Sequence, residues 1–300
     1  MRMKFRAHET FFIRKGWIGK GMKYVSISPD VFISKEDNPM DVMGIGANMV
    51  KSLRYWLQAI GVTQEPSSGK RTQTLTDFGQ LVFAHDKYIE EIGTLYLLHY
   101  KLASNKEMAT SWYYFFNEFS LSDFAKDDFS TQISNYIKIK DDMANVALRS
   151  IEDDFTCIIN TYVPRYKTMP NKISAENNID CPFGEMGLID IIKKEKRHTV
   201  YKKVVPLAST FNPWVILAVI NDNAGGNNEL KLSELLTGKN NIGRIFNLDS
   251  IAMLDILHEA EKTGEIKIVR TAGMDIVHLA HNYTFEECVE KYYQTLENLG

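Results

Sequence analysis

The sequence has little of what stabilises secreted proteins or anchors membrane proteins. Its 300 residues include three cysteines, Cys157, Cys181 and Cys288, which are far apart and belong to no CxxC or Cys/His pattern. Neither a disulfide framework nor a structural zinc site is therefore supported. No apolar run is long enough to cross a membrane, and residues 1–12 lack the apolar core of a signal peptide. These absences predict a cytoplasmic protein with no membrane partner.

Motifs of the common cofactor enzymes are missing as well. GxxxxGK(S/T), a GxGxxG after a strand, HExxH and GxSxG do not occur. The chain also has no internal repeat and no low-complexity linker. Changes in apolar periodicity and in turn residues therefore define its units.

Charge is divided unevenly along the chain. Up to Leu75 there are twelve Lys and Arg against six Asp and Glu, a local charge of about +6. Because the total is −3, the remainder carries about −9. A basic N-terminal part and an acidic remainder favour an N-terminal unit that contacts a polyanion. The alternative is chance variation among solvated surface charges.

The first unit, residues 1–85, has the turn chemistry of a winged helix. Residues 38–41 (Asn-Pro-Met-Asp) suit the start of a short helix, and two glycines at 44 and 46 permit a tight turn after it. A second helix follows over about residues 47–60, with apolar residues at three- and four-residue spacing. A basic turn at residues 67–71 and a further helix from about Leu75 complete the pattern. This order predicts a DNA-binding winged helix.

The polar side of that second helix and the basic turn supply the candidate DNA contacts. Their residue types reach phosphates and base edges. The alternative is an amphipathic helix whose polar face is only solvated. The predicted contacts are Asn48, Lys51, Arg54, Tyr55, Lys70 and Arg71.

The middle of the chain, residues 86–206, is predicted to be a helical domain. Residues 112–116 are apolar nearly all round, which favours a core helix over a base-stacking platform. A helix is also predicted over residues 187–194. The basic residues Lys193, Lys194, Lys196 and Arg197 are either a solvated helix end or a phosphate contact.

The last unit, residues 207–300, repeats the winged-helix order with different chemistry. Its third helix carries Asp255, Glu259 and Glu261, a face that would repel DNA, so an architectural or protein-contact role is predicted. The expected fold is therefore α+β: mainly α with small β hairpins, with two winged-helix-like units flanking a helical middle domain.

A polar cluster near the N-terminus is the candidate for chemistry. His8, Glu9, Arg14 and Lys15 lie among aromatic residues. The two cations could stabilise charge on a phosphate, and His8 or Glu9 could act as a general base or bind a divalent metal such as Mg²⁺ or Mn²⁺. The alternative is a buried hydrogen-bond network that docks the N-terminus.

Four segments of the chain resemble a known bacterial family. They are HETF with RKGW (residues 8–11 and 14–17), NPMDVMGIGANMV (38–50), LRYWL (53–57), and DCPF with LI (180–183 and 188–189). Together they resemble the SspB-type proteins of DNA phosphorothioation and phage-defence systems, over about residues 4–290.

The resemblance implies a DNA-nicking enzyme that prepares double-stranded DNA for replacement of a nonbridging phosphate oxygen by sulfur. It also implies three partners: a cysteine desulfurase, an ATPase and an ATP-pyrophosphatase-like sulfur-transfer protein. It carries over no catalytic residue. Two alternatives stay open: a non-catalytic DNA-binding subunit that recruits this machinery, and a winged-helix transcriptional regulator.

Overall fold

Helices make up most of the chain, as the spacing of its apolar residues predicts. The computed structural model describes residues 3–164, 167, 180–195, 198–271 and 274–298. It is 53% helix and 11% strand, and the strands form small antiparallel sheets, which confirms a mainly helical fold with small β elements. Two compact units comprise residues 1–203 and 204–300. The three-domain division of the sequence stays a prediction.

The first unit contains helices and short antiparallel strands. Its helices are Trp17–Ile27 (α1), Pro39–Met43 (α2), Ala47–Ala59 (α3), Asp77–His85 (α4), Ile92–Ser104 (α5), Thr110–Asn117 (α6), Lys126–Lys140 (α7) and Leu148–Tyr162 (α8). Its strands are Thr63–Gln64 (β1), Thr74–Leu75 (β2), Asp123–Phe124 (β3), Ile189–Lys194 (β4) and Thr199–Lys203 (β5). A 3₁₀ turn covers Pro182–Met186.

The boundaries of α2 and α3 follow from local chemistry. The Asn38 side chain accepts the Met40 backbone N–H at 3.1 Å, and Pro39 occupies the first helical position. Gly44 takes φ 62°, a left-handed conformation that favours glycine and ends α2. β1 and β2 then pair as a short hairpin, with Thr63 opposite Leu75. The predicted short helix, glycine turn and longer helix are confirmed.

The sheet β3–β5–β4 corrects one prediction. The sequence predicts a helix over residues 187–194, but the structure places strand β4 there, paired antiparallel with β5. Gly187 takes φ 65° and separates the 3₁₀ turn from the strand. The isoleucines at 189, 191 and 192 suit a strand, because β-branched side chains pack well on a pleated surface.

The core of the first unit is aromatic. Residues 112–116 are at most 5% exposed, which confirms that α6 is a core helix and leaves no stacking platform there. The Phe115 ring lies 5.2 Å from that of Phe124 and 6.0 Å from that of Phe129. Each aromatic ring buries a large apolar area, so this cluster fixes α6 against α7 and β3.

The second unit combines helices with one three-stranded sheet. Its helices are Pro213–Ala224 (α9), Leu232–Thr237 (α10), Ile242–Ile245 (α11), Ser250–Glu261 (α12) and Phe285–Glu297 (α13). Strands Glu229–Lys231 (β6), Ile266–Thr271 (β7) and Met274–Leu279 (β8) form the order β6–β8–β7. The predicted capping box of α13 is confirmed by reciprocal hydrogen bonds between Thr284 and Glu287.

Parts of two predicted features lie outside the described residues. These are the hairpin turn at residues 272–273 and, from the basic run, Lys196 and Arg197. Within the ranges that the structure describes, no helix is long and apolar enough to cross a membrane.

Candidate nucleic-acid interface

A cleft of about 330 Å³ lies in the first unit, lined by the N-terminal segment, α3, the β1–β2 loop and the loop before α6. Its charged side chains are Lys4, Lys51, Arg54, Glu65, Arg71 and Glu107. We call this feature the cationic cleft, because four cations face two carboxylates. A concave surface with excess positive charge concentrates field lines and attracts anions.

Glu65 organises the cleft from within. Its carboxylate accepts hydrogen bonds from Arg54 Nε at 2.7 Å, from Gln58 Nε2 at 3.1 Å and from Gln73 Nε2 at 3.2 Å. Arg71 Nη1 lies 3.9 Å from its second oxygen, and Arg54 Nη2 donates to the Arg71 carbonyl at 3.1 Å. The Glu65 side chain is 10% exposed, whereas that of Arg71 is 54% exposed. The half-buried carboxylate thus holds the Arg54 guanidinium and lies close to that of Arg71.

The structure brings together four of the six predicted DNA contacts. Lys51, Arg54, Tyr55 and Arg71 line the cationic cleft. Asn48 is exposed near the start of α3 but is not among the cleft-lining residues. Lys70 is also exposed, and its Nζ lies 2.7 Å from Asp30 Oδ2. The hydrogen bond from Lys70 lowers the pKa of the Asp30 carboxyl and so favours its ionised form.

The predicted placement of the Tyr55 side chain is wrong, while its contact with DNA stays a prediction. The sequence places it on the polar side of α3, but it is 7% exposed, and its hydroxyl donates to the Met108 carbonyl at 3.0 Å. Burial raises the pKa of this hydroxyl well above its usual value. The aromatic ring packs inward beside Trp56, while the hydroxyl reaches the loop before α6.

Replacing Tyr55 with phenylalanine should therefore affect stability and leave DNA affinity unchanged. The Met108 carbonyl loses its donor, so we expect the free energy of unfolding to fall by about 1 kcal/mol. Urea melts and fluorescence anisotropy with a duplex measure the two quantities. Wild-type stability combined with weakened duplex binding would restore Tyr55 to the DNA contacts.

His8 lies in a buried network rather than on the surface. Its Nε2 is 2.8 Å from Asp154 Oδ1, and both side chains are at most 2% exposed. Asp154 also accepts the Arg6 backbone N–H at 2.8 Å and the Ser111 hydroxyl. The imidazole stacks on Trp56, with ring centroids 6.0 Å apart. We call these groups the His8 network, and its geometry has the features of the docking alternative raised for this segment.

The other members of the N-terminal cluster have different surroundings. Glu9 is half-buried with φ 50°. The Arg14 guanidinium lies 5.7 Å and 5.4 Å from the ring centroids of Phe11 and Trp17, a cation–π arrangement. Lys15 is exposed. A catalytic role for His8, Glu9, Arg14 and Lys15 stays a prediction, which the burial of His8 does not favour.

The cysteine thiols and a metal site are the two other candidates for chemistry. All three cysteines are buried, and burial raises the pKa of the Cys181 and Cys157 thiols, which suppresses their thiolate forms. No group of three or more His, Cys, Asp or Glu side chains in the described part of the chain is arranged to hold a metal ion. We therefore assign no ligands to the divalent metal considered from the sequence.

Sequence reasoning missed the partners that position these groups. The sequence did contain a signal for Glu65, because it is the one acidic residue between Arg54 and Arg71 in a basic segment. The sequence contained no comparable signal for Asp154 and Ser111, because they lie 146 and 103 positions from His8. Pairings over such separations depend on tertiary structure that periodicity does not encode.

The complete fold is similar to that of SspB. Two SspB crystal structures, one of them magnesium ion-bound, match 99% of this chain and 88% of their own, each with a TM-score of 0.83. Sequence identity is 25% to the magnesium-bound structure and 23% to the other. The chain belongs to the DUF4007 family of proteins of unknown function, which matches residues 5–293. No curated protein matches the sequence. The resemblance to SspB-type proteins is thus confirmed.

Proposed function

We propose that this chain binds duplex DNA through the cationic cleft, as a component of a DNA phosphorothioate modification and defence system. The observation that carries the proposal is the convergence of Lys51, Arg54 and Arg71 on one concave surface. The similarity to SspB supports the system, and with it the partners: a cysteine desulfurase, an ATPase and an ATP-pyrophosphatase-like protein.

The winged-helix interpretation belongs to this proposal. The element order α2, α3, β1, β2, α4 supports it, with α3 as the recognition helix and the β1–β2 loop as the wing. Asn48 and Lys70 would then extend the DNA contact beyond the cationic cleft. Residues 1–85 would form the DNA-binding domain, followed by the middle domain and by a second winged-helix-like unit from residue 207.

Removing two cleft cations should weaken duplex binding and its salt dependence together. Each phosphate contact that is lost should lower the slope of log K against log salt by about one. For Lys51→Ala/Arg71→Ala we expect the slope to fall by about two. Arg54 is left in place because its removal would also leave the half-buried Glu65 without its closest partner. Anisotropy titrations of a labelled duplex at several salt concentrations measure this.

A matched control is Lys138→Ala. Lys138 is an exposed lysine of the first unit, at the end of α7 and outside the cationic cleft. This variant should keep wild-type affinity and slope. Equal behaviour of the control and the double variant would remove the cationic cleft from DNA binding.

Nicking of the DNA is the second part of the proposal, and similarity to SspB is its support. Relaxation of supercoiled plasmid by the purified protein, with Mg²⁺, with Mn²⁺ and with EDTA, tests it directly. Nicked circles would favour the enzyme. Intact plasmid together with tight duplex binding would favour a non-catalytic subunit that recruits the sulfur-transfer partners. If the protein also failed to bind those partners, a transcriptional regulator would be favoured.

The second unit is proposed to contact proteins. Asp255 is exposed on α12, while Glu259 pairs with Lys262 at 2.6 Å and Glu261 lies 3.6 Å from His258. This mixed but acid-rich face suits a basic protein surface better than DNA.

A further inference from the structure

A second cleft of the first unit shares no lining residue with the cationic cleft. It also measures about 330 Å³ and is bordered by the start of α7, one face of α8 and the β4–β5 hairpin. Its apolar floor consists of Phe155, Ile159, Ile191 and Tyr201. We call it the aromatic cleft. Ligand sites in proteins are concave and mostly apolar, with a few converging polar groups, and this cleft has both features.

Tyr201 is held firmly within the aromatic cleft. In the sheet it lies opposite Phe124 on one side and Ile191 on the other. Its ring is inclined by 27° to that of Phe124 at 6.0 Å, and the edge of Phe155 meets it at 5.9 Å. β4 has a bulge between Ile191 and Lys193, and such bulges re-aim side chains beside functional sites.

Polar groups suited to recognition surround this floor. The Asn160 carboxamide and the Asp127 carboxylate line the cleft, and neither has a hydrogen bond or ion pair within the described ranges. An amide offers both donors and an acceptor, and a carboxylate accepts from amino groups. Lys126 and Lys194 add positive charge at the same rim, where His198 also lines the cleft.

We propose that the aromatic cleft binds a nucleotide, with its base on the apolar floor and its phosphate at the cationic rim. Planar bases stack on aromatic and aliphatic side chains, and amide or carboxylate groups read their edges. A purely apolar ligand would leave Asn160 and Asp127 unpaired, and inorganic phosphate would not use the floor. The nucleotide is either a free mononucleotide or one unit of an unpaired DNA strand.

Calorimetric titration of the full-length protein tests this with three probes: dAMP, ribose 5-phosphate and a 12-nucleotide single strand. dAMP should bind at least about tenfold more tightly than ribose 5-phosphate, which has no base. Tyr201→Ala should weaken nucleotide binding by about five- to a hundredfold, as loss of a stacking partner does. Asn160→Ala should weaken it by about tenfold. The Asn160 side chain is half-buried and makes no hydrogen bond in the described residues, so this variant should fold even if Tyr201→Ala does not.

The double variant of the cationic cleft, Lys51→Ala/Arg71→Ala, separates this proposal from the preceding one. It should lose duplex binding and keep wild-type affinity for dAMP. Binding of the strand but not of dAMP, again weakened by Asn160→Ala, would identify the strand as the source of the nucleotide. The proposal is overturned if ribose 5-phosphate binds as tightly as dAMP, if no probe binds, or if Asn160→Ala changes no affinity.

Discussion

Asp154→Ala should destabilise the first unit by about 3–5 kcal/mol. The substitution removes the shared acceptor of the His8 network and leaves the His8 imidazole, the Ser111 hydroxyl and the Arg6 N–H without it in a buried site. Breaking a buried polar network from one side costs this much because the remaining groups stay desolvated. Chemical denaturation followed by circular dichroism measures the loss.

Glu152→Ala on the same helix is the matched control. Its carboxylate lies 3.7 Å from Lys126 Nζ, and both side chains are partly exposed. Surface pairs of this kind contribute about 1 kcal/mol or less, so its denaturation curve should nearly overlay that of the wild type. A wild-type curve for Asp154→Ala as well would show that the His8 network is not structural and would strengthen the catalytic prediction for His8.

Gly79→Ala should also cause a large loss of stability, lowering the free energy of unfolding by about 1–3 kcal/mol or more. A Cβ at position 79 would meet the Val62 carbonyl oxygen at 2.0 Å, and a backbone atom cannot move aside without shifting its strand. Val62 directly precedes β1, so the shift would reach the loop that carries Glu65 and Arg71. We therefore expect weaker duplex binding together with a lower melting temperature.

Gln80→Ala tests whether this effect is specific. Gln80 is exposed on the same helix, and alanine is a good helix former, so stability and duplex affinity should stay at wild-type values. If Gly79→Ala melts and binds like Gln80→Ala, α4 does not position the cationic cleft.

Local chemistry made the front of the chain predictable. The cap at Asn38, the glycine turn and the apolar spacing of α3 each act within a few residues, so the sequence contains the whole signal. The same holds for the capping box of α13. Residues 187–194 were ambiguous because their isoleucines fit a helix as well as a strand. The choice depends on β5 as a pairing partner, which local periodicity does not show.

The candidate sites were predictable only in part. Charge density pointed to Lys51, Arg54 and Arg71, but helical spacing alone did not reveal that Tyr55 turns inward. The sequence shows the N-terminal part of the His8 network as polar residues among aromatic ones. Its partner Asp154 lies on the distant helix α8, so the buried pair could not be predicted. The aromatic cleft combines α8 with a distant hairpin, so no single segment of the sequence signals it.

The separation of 146 positions between His8 and Asp154 also has a consequence for biosynthesis. At elongation rates of roughly 5–20 residues per second, the N-terminal segment is synthesised about 7–30 seconds before its acceptor. For much of that interval the His8 imidazole and the indole of Trp56, which stack on each other in the folded protein, are present without Asp154 and its helix. The nascent chain exposes them to chaperones and proteases, so translation speed should influence the yield of this protein more than that of one built from local contacts.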